Sequence, residues 1–137
     1  MDIVDMNRVL IIEDNKVMAK ILGQLLRKCL RLQTISHAPT TQAAYNALSK
    51  TMYDCIFLDL NLSTELDGIP VLVYIKQQYP ELPVIIVSGE NEMNTVKKVL
   101  ALKPNGYLVK PLSMQKLQNC LTKIFKSELI LDAYSAH

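Results

Sequence analysis

The chain of 137 residues is short of several things, and each shortage closes off a class of protein. It has no tryptophan, two phenylalanines and four glycines, which excludes collagen-like and many low-complexity architectures. Its three cysteines, Cys29, Cys55 and Cys120, are odd in number, far apart and set in apolar stretches. They fit small core hydrophobes in a reducing compartment, and not a disulfide or zinc framework. The longest apolar runs are about five residues, whereas a bilayer span needs ~20. The first residues, Met1 to Asn7, carry acids and no basic stretch, so no secretory signal is expected. An excess of charge is missing too. Fifteen lysines and arginines against thirteen acids leave +2, too little to point to nucleic acid or a membrane surface as a partner. Half the residues are apolar and a fifth are charged, a globular composition at single-domain length. The expectation is one soluble, cytoplasmic domain.

Five short apolar runs recur along the chain: Arg8 to Ile12, Leu32 to Ser36, Tyr53 to Leu58, Pro83 to Val87 and Gly106 to Val109. Three of them are continuous and not alternating, which a strand needs only when both its faces are covered. The second run is more polar and belongs toward a sheet edge. Between the runs the period becomes helical. Met18, Ile21, Leu22, Leu25 and Cys29 form one stripe. Thr40 or Thr41 caps a helix carrying Ala44, Ala47 and Leu48, and Asp67-Gly68 turns into a third with Leu72, Ile75 and Tyr79, stopped by Pro80. Asn91 is the expected cap of a fourth helix with Val96, Val99 and Leu100 inward, and Ser113 that of a fifth with Leu117, Leu121 and Ile124. A strand–helix unit repeated five times predicts an α/β fold, a five-stranded doubly wound parallel sheet of strand order 2-1-3-4-5.

Ligands of such sheets bind beyond the carboxyl ends of the strands, where the strand order reverses. The first strand ends in Glu13-Asp14-Asn15, the third in Asp59 followed by Asn61, the fourth in Ser88-Gly89-Glu90 and the fifth in Lys110-Pro111. Strands one and three are neighbours in this order, so three carboxylates converge. Their mutual repulsion calls for a cation, and a hard one such as Mg²⁺ takes one or two carboxylates and completes its shell with water and a phosphoryl oxygen. With a lysine and a hydroxyl alongside, the set suits transfer of a phosphoryl group to a nucleophilic carboxylate.

These pieces together resemble the receiver domain of bacterial two-component response regulators, the CheY-like member of the flavodoxin-like folds. The resemblance rests on Glu13-Asp14, on Asp59 within Ile56 to Asn61, on Asp67-Gly68, on Ser88-Gly89 and on Gly106 to Pro111. It covers residues 8–125, with 126–137 left as a tail or as the start of a linker to an output domain. It implies that Asp59 accepts a phosphoryl group from a histidine kinase or a histidine phosphotransfer protein. It implies Mg²⁺ held by Asp14 and Asp59, by Glu13 through water and by the main-chain carbonyl of Asn61. Ser88 and Lys110 would bind the phosphoryl group, and the Lys110–Pro111 bond would be cis. Ser88 and Tyr107 hold the family's switch positions, through which the surface of helix four, strand five and helix five is biased. Asn61 and Glu90 stand at the rim where water approaches; both are small or polar, so a short-lived phosphorylated form is expected.

Two departures bear on this. Asp59 to Gly68 is nine positions, one more than the commonest family spacing, and Ser63 stands where proline is frequent, so the loop 62–67 is expected to be rebuilt. Taken singly, each residue has a blander reading: Glu13-Asp14 as helix-terminus acids, Lys110-Pro111 as a turn, Tyr107 as a strand aromatic. The alternative function is a receiver-like binding module without phosphotransfer. A flavin protein would want a phosphate loop where Glu13-Asp14 stands, and an aspartate-dependent phosphatase a second Asp at the position of Asn61. The kinase, the output and the oligomeric state, homodimer included, are not written in these residues.

Overall fold

The structure, a computed structural model, describes residues 5–125; the tail at 126–137 lies outside the described residues. Strands and helices alternate without exception: β1 (Asp5–Ile12), α1 (Lys16–Cys29), β2 (Arg31–Ala38), α2 (Thr41–Lys50), β3 (Cys55–Leu58), α3 (Gly68–Gln78), β4 (Val84–Ser88), α4 (Met93–Ala101), β5 (Gly106–Val109) and α5 (Met114–Phe125). All strand pairs are parallel, in the order β2-β1-β3-β4-β5. The order follows from burial. Every residue of β3 and β4 is buried, as their unbroken apolar runs require, while β2 alternates through exposed polar positions and takes the edge.

Because successive strand residues face opposite sides, the sheet divides the core in two. Val9, Ile11, Phe57, Ile85 and Val87 pack under α1 and α5. Leu10, Ile12, Ile56, Leu58 and Ile86 pack under α2 and α3. The three cysteines are buried and unpaired. Burial pushes the Cys120 thiol up to about 11 and the Cys29 and Cys55 thiols upward as well, which keeps them protonated and unreactive. No helix of the described residues is long and apolar enough to cross a membrane.

Local details depart from the sequence-based expectation in three places. The inward stripe of α1 is Ala19, Leu22, Leu26 and Cys29, while Ile21 is 40 % exposed; a small alanine brings the helix down onto the sheet and turns the stripe. Helix α4 buries Val99 alone, with Leu100 51 % exposed. Its cap is Glu92 and not Asn91: the Glu92 carboxylate accepts from the backbone N–H groups of Asn94 and Thr95. Hydrogen bonding to Thr95 and to those amides holds the Glu92 carboxyl below its usual range. Thr40 and Ser113 do cap α2 and α5, accepting from Ala43 N–H at 3.0 Å and Lys116 N–H at 3.2 Å.

Candidate phosphoryl-acceptor site

Three residues that follow the strands keep the sheet's bonding going for one more step. Glu13 N–H donates to the Ala38 carbonyl at 3.1 Å, and Asp59 N–H to the Ile12 carbonyl at 2.9 Å. Lys110 N–H donates to the Ser88 carbonyl at 2.9 Å. The ladder thus fixes where Glu13, Asp59 and Lys110 leave the sheet, all on its carboxyl edge. Glu13 and Asp59 are buried, Asp14 is exposed, and carboxylate oxygens of all three lie within 4.8 Å of one another.

The Lys110 ammonium sits between two of these acids. Its Nζ donates to Glu13 Oε1 at 2.6 Å and to Asp59 Oδ2 at 3.1 Å. The other oxygen of Asp59 accepts from Asn61 N–H at 3.1 Å, and Glu13 Oε2 accepts from Asn15 N–H at 3.2 Å. One positive charge serves three carboxylates, so negative charge is in surplus. Burial, partly offset by Lys110 and reinforced by the Asp59 charge, pushes the Glu13 carboxyl up to about 7. For Lys110, burial opposes the charged form, but its bonds to Glu13 and Asp59 outweigh that and raise its pKa. The two shifts have opposite balances: burial prevails over the Lys110 contact at Glu13, and the contacts with two carboxylates prevail over burial at Lys110.

That shortage is what a divalent cation would fill. Oxygens around Mg²⁺ lie about 3 Å apart at neighbouring vertices of the octahedron and about 4 Å across it, a spacing that the Glu13, Asp14 and Asp59 oxygens already approach. The donor set is all oxygen and suits a hard ion.

Ser88 is fully buried, and its Oγ accepts from Glu90 N–H at 3.1 Å. The Tyr107 ring is half-buried and packs on the α2–α3 side of the core, its hydroxyl donating to the Glu90 carbonyl at 3.0 Å. Burial, with the negative charges of Glu90 and Asp59, raises the Tyr107 pKa. The Glu90 side chain turns back to accept from Glu92 N–H. The Lys110–Pro111 peptide is cis.

The loop 62–67 is built around two side chains whose part in it the sequence did not announce. The Asp67 carboxylate accepts from the N–H groups of Leu62 (2.7 Å), Ser63 (3.0 Å) and Thr64 (3.1 Å). Asn61 Oδ1 accepts from Leu66 N–H at 2.7 Å, with Leu66 itself at φ 59°. The longer spacing is thus absorbed by a left-handed residue and a carboxylate hub. Gly68 serves a different purpose from a turn. A Cβ there would strike the Asp59 carbonyl oxygen and lie 2.8 Å from Leu60 Cα, so the helix approaches the Asp59 backbone too closely for any side chain. A groove of about 690 Å³ lies far from these acids, between the ends of α2 and α3, where Met52, Tyr53, Tyr79 and Leu82 line it; none of the site residues borders it.

Comparison with known proteins gives a family and a shared fold. Residues 9–122 match the model of the response regulator receiver domain. The chain is 29 % identical over 121 residues to a protein-glutamate methylesterase/protein-glutamine glutaminase of Trichodesmium erythraeum, covering 87 % of this chain and 34 % of that protein. It is 26 % identical over 132 residues to the transcriptional regulatory protein MalR of Bacillus subtilis, covering 96 % of this chain and 54 % of that one. The chain therefore spans about a third to a half of these relatives. The fold is shared with the receiver domain of the sensor histidine kinase PA1611 of Pseudomonas aeruginosa, at TM-score 0.75 and 24 % identity over 90 % of this chain and all of the other, a structure with magnesium coordinated in its active-site cleft.

Proposed function

The chain belongs to the response regulator receiver domain family, a family of signalling switches and not of turnover enzymes, and from that membership we propose that it is a phosphoacceptor switch of a two-component phosphorelay with Asp59 as the acceptor. The domain runs from residue 8 to 125, with 126–137 a tail or the start of a linker to an output domain or target. The donor is a sensor histidine kinase or a histidine phosphotransfer protein, met in the cytoplasm. An Asp59 carboxylate oxygen attacks the phosphorus of a phosphohistidine. The P–O bond forms as the P–N bond breaks, and the imidazole leaves with the electron pair.

Each neighbour has a part. Glu13 (through water), Asp14, Asp59 and the Asn61 carbonyl would hold Mg²⁺, which would supply positive charge against the transferring phosphoryl oxygens. Lys110, already 3.1 Å from Asp59, pairs with the phosphoryl group from its other side, and Ser88 donates its hydroxyl to it. For Ser88 to do so, its Oγ moves from Glu90 N–H toward the acceptor, and the Tyr107 ring holds the space behind it. The surface so biased is that of α4, β5 and α5, where Met93, Leu100 and Val109 stand exposed for an output partner. Asn61 and Glu90 leave water a way in, so the phosphorylated form is short-lived.

The observation that carries this reading is a buried aspartate flanked by two acids with a lysine ammonium in contact. The test is intact mass after incubation with acetyl phosphate and Mg²⁺. One phosphoryl group is expected on the wild type and none on Asp59→Asn. A wild type that gains none, or a variant that gains as much, returns the chain to a binding module without phosphotransfer. An adduct lasting many hours at neutral pH contradicts the rim assignment alone.

A further inference from the structure

The near-zero charge balance hides a segregation. From Asn15 to Tyr53 the chain carries Lys16, Lys20, Arg27, Lys28, Arg31 and Lys50 and no acid; the other nine cations and all thirteen acids lie outside that stretch. It holds +6, and the remainder −4. It folds into α1, β2 and α2, one lateral edge of the sheet. Five of its six cations, with His37, line two adjoining grooves of about 330 Å³ each that share Arg27. Among the described residues, no ion pair to a carboxylate involves Lys16, Lys20, Arg27 or Lys28.

Two features of this edge have no role in holding the fold. Strand β2 is eight residues long, and among the described residues its outer side has no neighbouring strand. Between Leu32 and His37 it contains neither the lysine nor the proline that usually blunts such an edge. Gly23 stands in the middle of α1 without a positive φ, and a Cβ there would meet only Ile35 Cδ1, at an ordinary 3.7 Å. Neither backbone nor packing asks for glycine, which weakens a helix interior. Its missing side chain keeps open the groove that Lys20, Gln24 and Ile35 also line.

We propose that the α1–β2 edge docks an extended acidic segment of a partner protein, laid beside β2 with its carboxylates toward Lys16, Lys20 and Arg27. An added strand satisfies the outer backbone groups of β2 and gives affinity through main-chain hydrogen bonds, with side-chain pockets setting specificity. On one face of a strand, side chains recur every ~6.6 Å, and Lys16 and Lys20 are ~6 Å apart along the helix, so acids at alternate positions meet both. Nucleic acid fits less well, because no Phe, Tyr or Trp ring lines either groove for bases to stack on, and the His37 ring is tied to the Glu13 carbonyl at 2.6 Å. A second copy offering its acidic end would associate head to tail, without the two-fold symmetry of the commonest dimers. The docking is independent of Asp59 chemistry.

The probe is a labelled peptide of alternating Glu and Val, compared with its Gln counterpart, a single-stranded oligonucleotide and phosphatidylserine vesicles. Binding is followed by anisotropy, or by cosedimentation for vesicles, and mapped by amide chemical shifts. The Glu peptide is expected to bind with shifts concentrated in residues 16–37 and to weaken with salt. The Lys20→Glu/Arg27→Glu pair and Gly23→Met, which fills the groove, should each weaken it about tenfold or more. Both variants should unfold cooperatively at or above the wild-type temperature and keep acetyl phosphate reactivity; if Gly23→Met fails to fold, the charge-reversal pair decides. Equal binding of the Gln peptide, tighter binding of oligonucleotide or vesicles, shifts elsewhere, or folded variants that bind as well as wild type would each overturn the proposal.

Discussion

Glu13 shows how one buried carboxyl makes the site depend on pH. Its pKa of about 7, against 4.5 for the free side chain, means that the folded protein prefers it protonated. Without metal, the stability this contributes is complete below 4.5 and is lost as pH rises through 7. Denaturant midpoints in chelator should therefore fall across that window more steeply in wild type than in Glu13→Gln. With Mg²⁺ the sign reverses, since a metal needs the carboxylate ionised. Titrations should show wild-type Mg²⁺ affinity dropping as pH goes below about 7, with a flatter profile for Glu13→Gln; parallel profiles would remove Glu13 from the metal's surroundings. Gly68 is the other decisive residue. A methyl group there meets only main chain of Asp59 and Leu60, which cannot swing aside. Gly68→Ala should cost about 1–3 kcal/mol in chemical denaturation and slow acyl phosphate formation, because the acceptor's own backbone must shift.

Among the elements, the loop from 62 to 67 and helix α4 are the least determined by local sequence. The loop depends on Asp67, which accepts three backbone N–H groups. Replacing it by alanine leaves the half-buried Leu62 amide without its partner and should destabilise by about 1–2 kcal/mol. Hydrogen exchange should quicken at Leu62 to Leu66 before anywhere in the sheet; unchanged protection there would mean that the hub carries no weight. Helix α4 has Val99 as its one fully buried side chain, so little packing resists its displacement. Its sequence reads as amphipathic, yet Leu100 faces outward. A stripe shows that a helix has an apolar side, and only the neighbours decide how much of it is covered.

For the whole molecule, the three acids clustered at the carboxyl edge repel one another, and a bound cation would relieve that repulsion. A ligand bound only by the native state stabilises it by RT ln(1 + [L]/Kd), about 2.7 kcal/mol at a hundredfold excess over Kd. Thermal unfolding of wild type should therefore shift upward with Mg²⁺ and not with the same ionic strength of sodium chloride. The shift should shrink in Asp14→Asn, whose exposed carboxylate is the third member of the cluster. An equal shift in both proteins would mean that the ion acts elsewhere.

Read as a string, the chain determined its architecture: short continuous apolar runs alternating with helical periods fit central parallel strands, and the crossover rule then leaves few orders. It also determined which residues stand at the strand ends, because Glu13, Asp59, Ser88 and Lys110 each end or directly follow such a run. Tertiary structure alone decided that Lys110 bridges Glu13 and Asp59, that Gly68 is pressed against the Asp59 backbone, that Asp67 gathers the longer loop, and that Glu92 displaces Asn91 as a cap. Each of these depends on two segments meeting at ångström precision or on a loop choosing among near-equal conformations. Periodicity records which face is apolar and carries no distance.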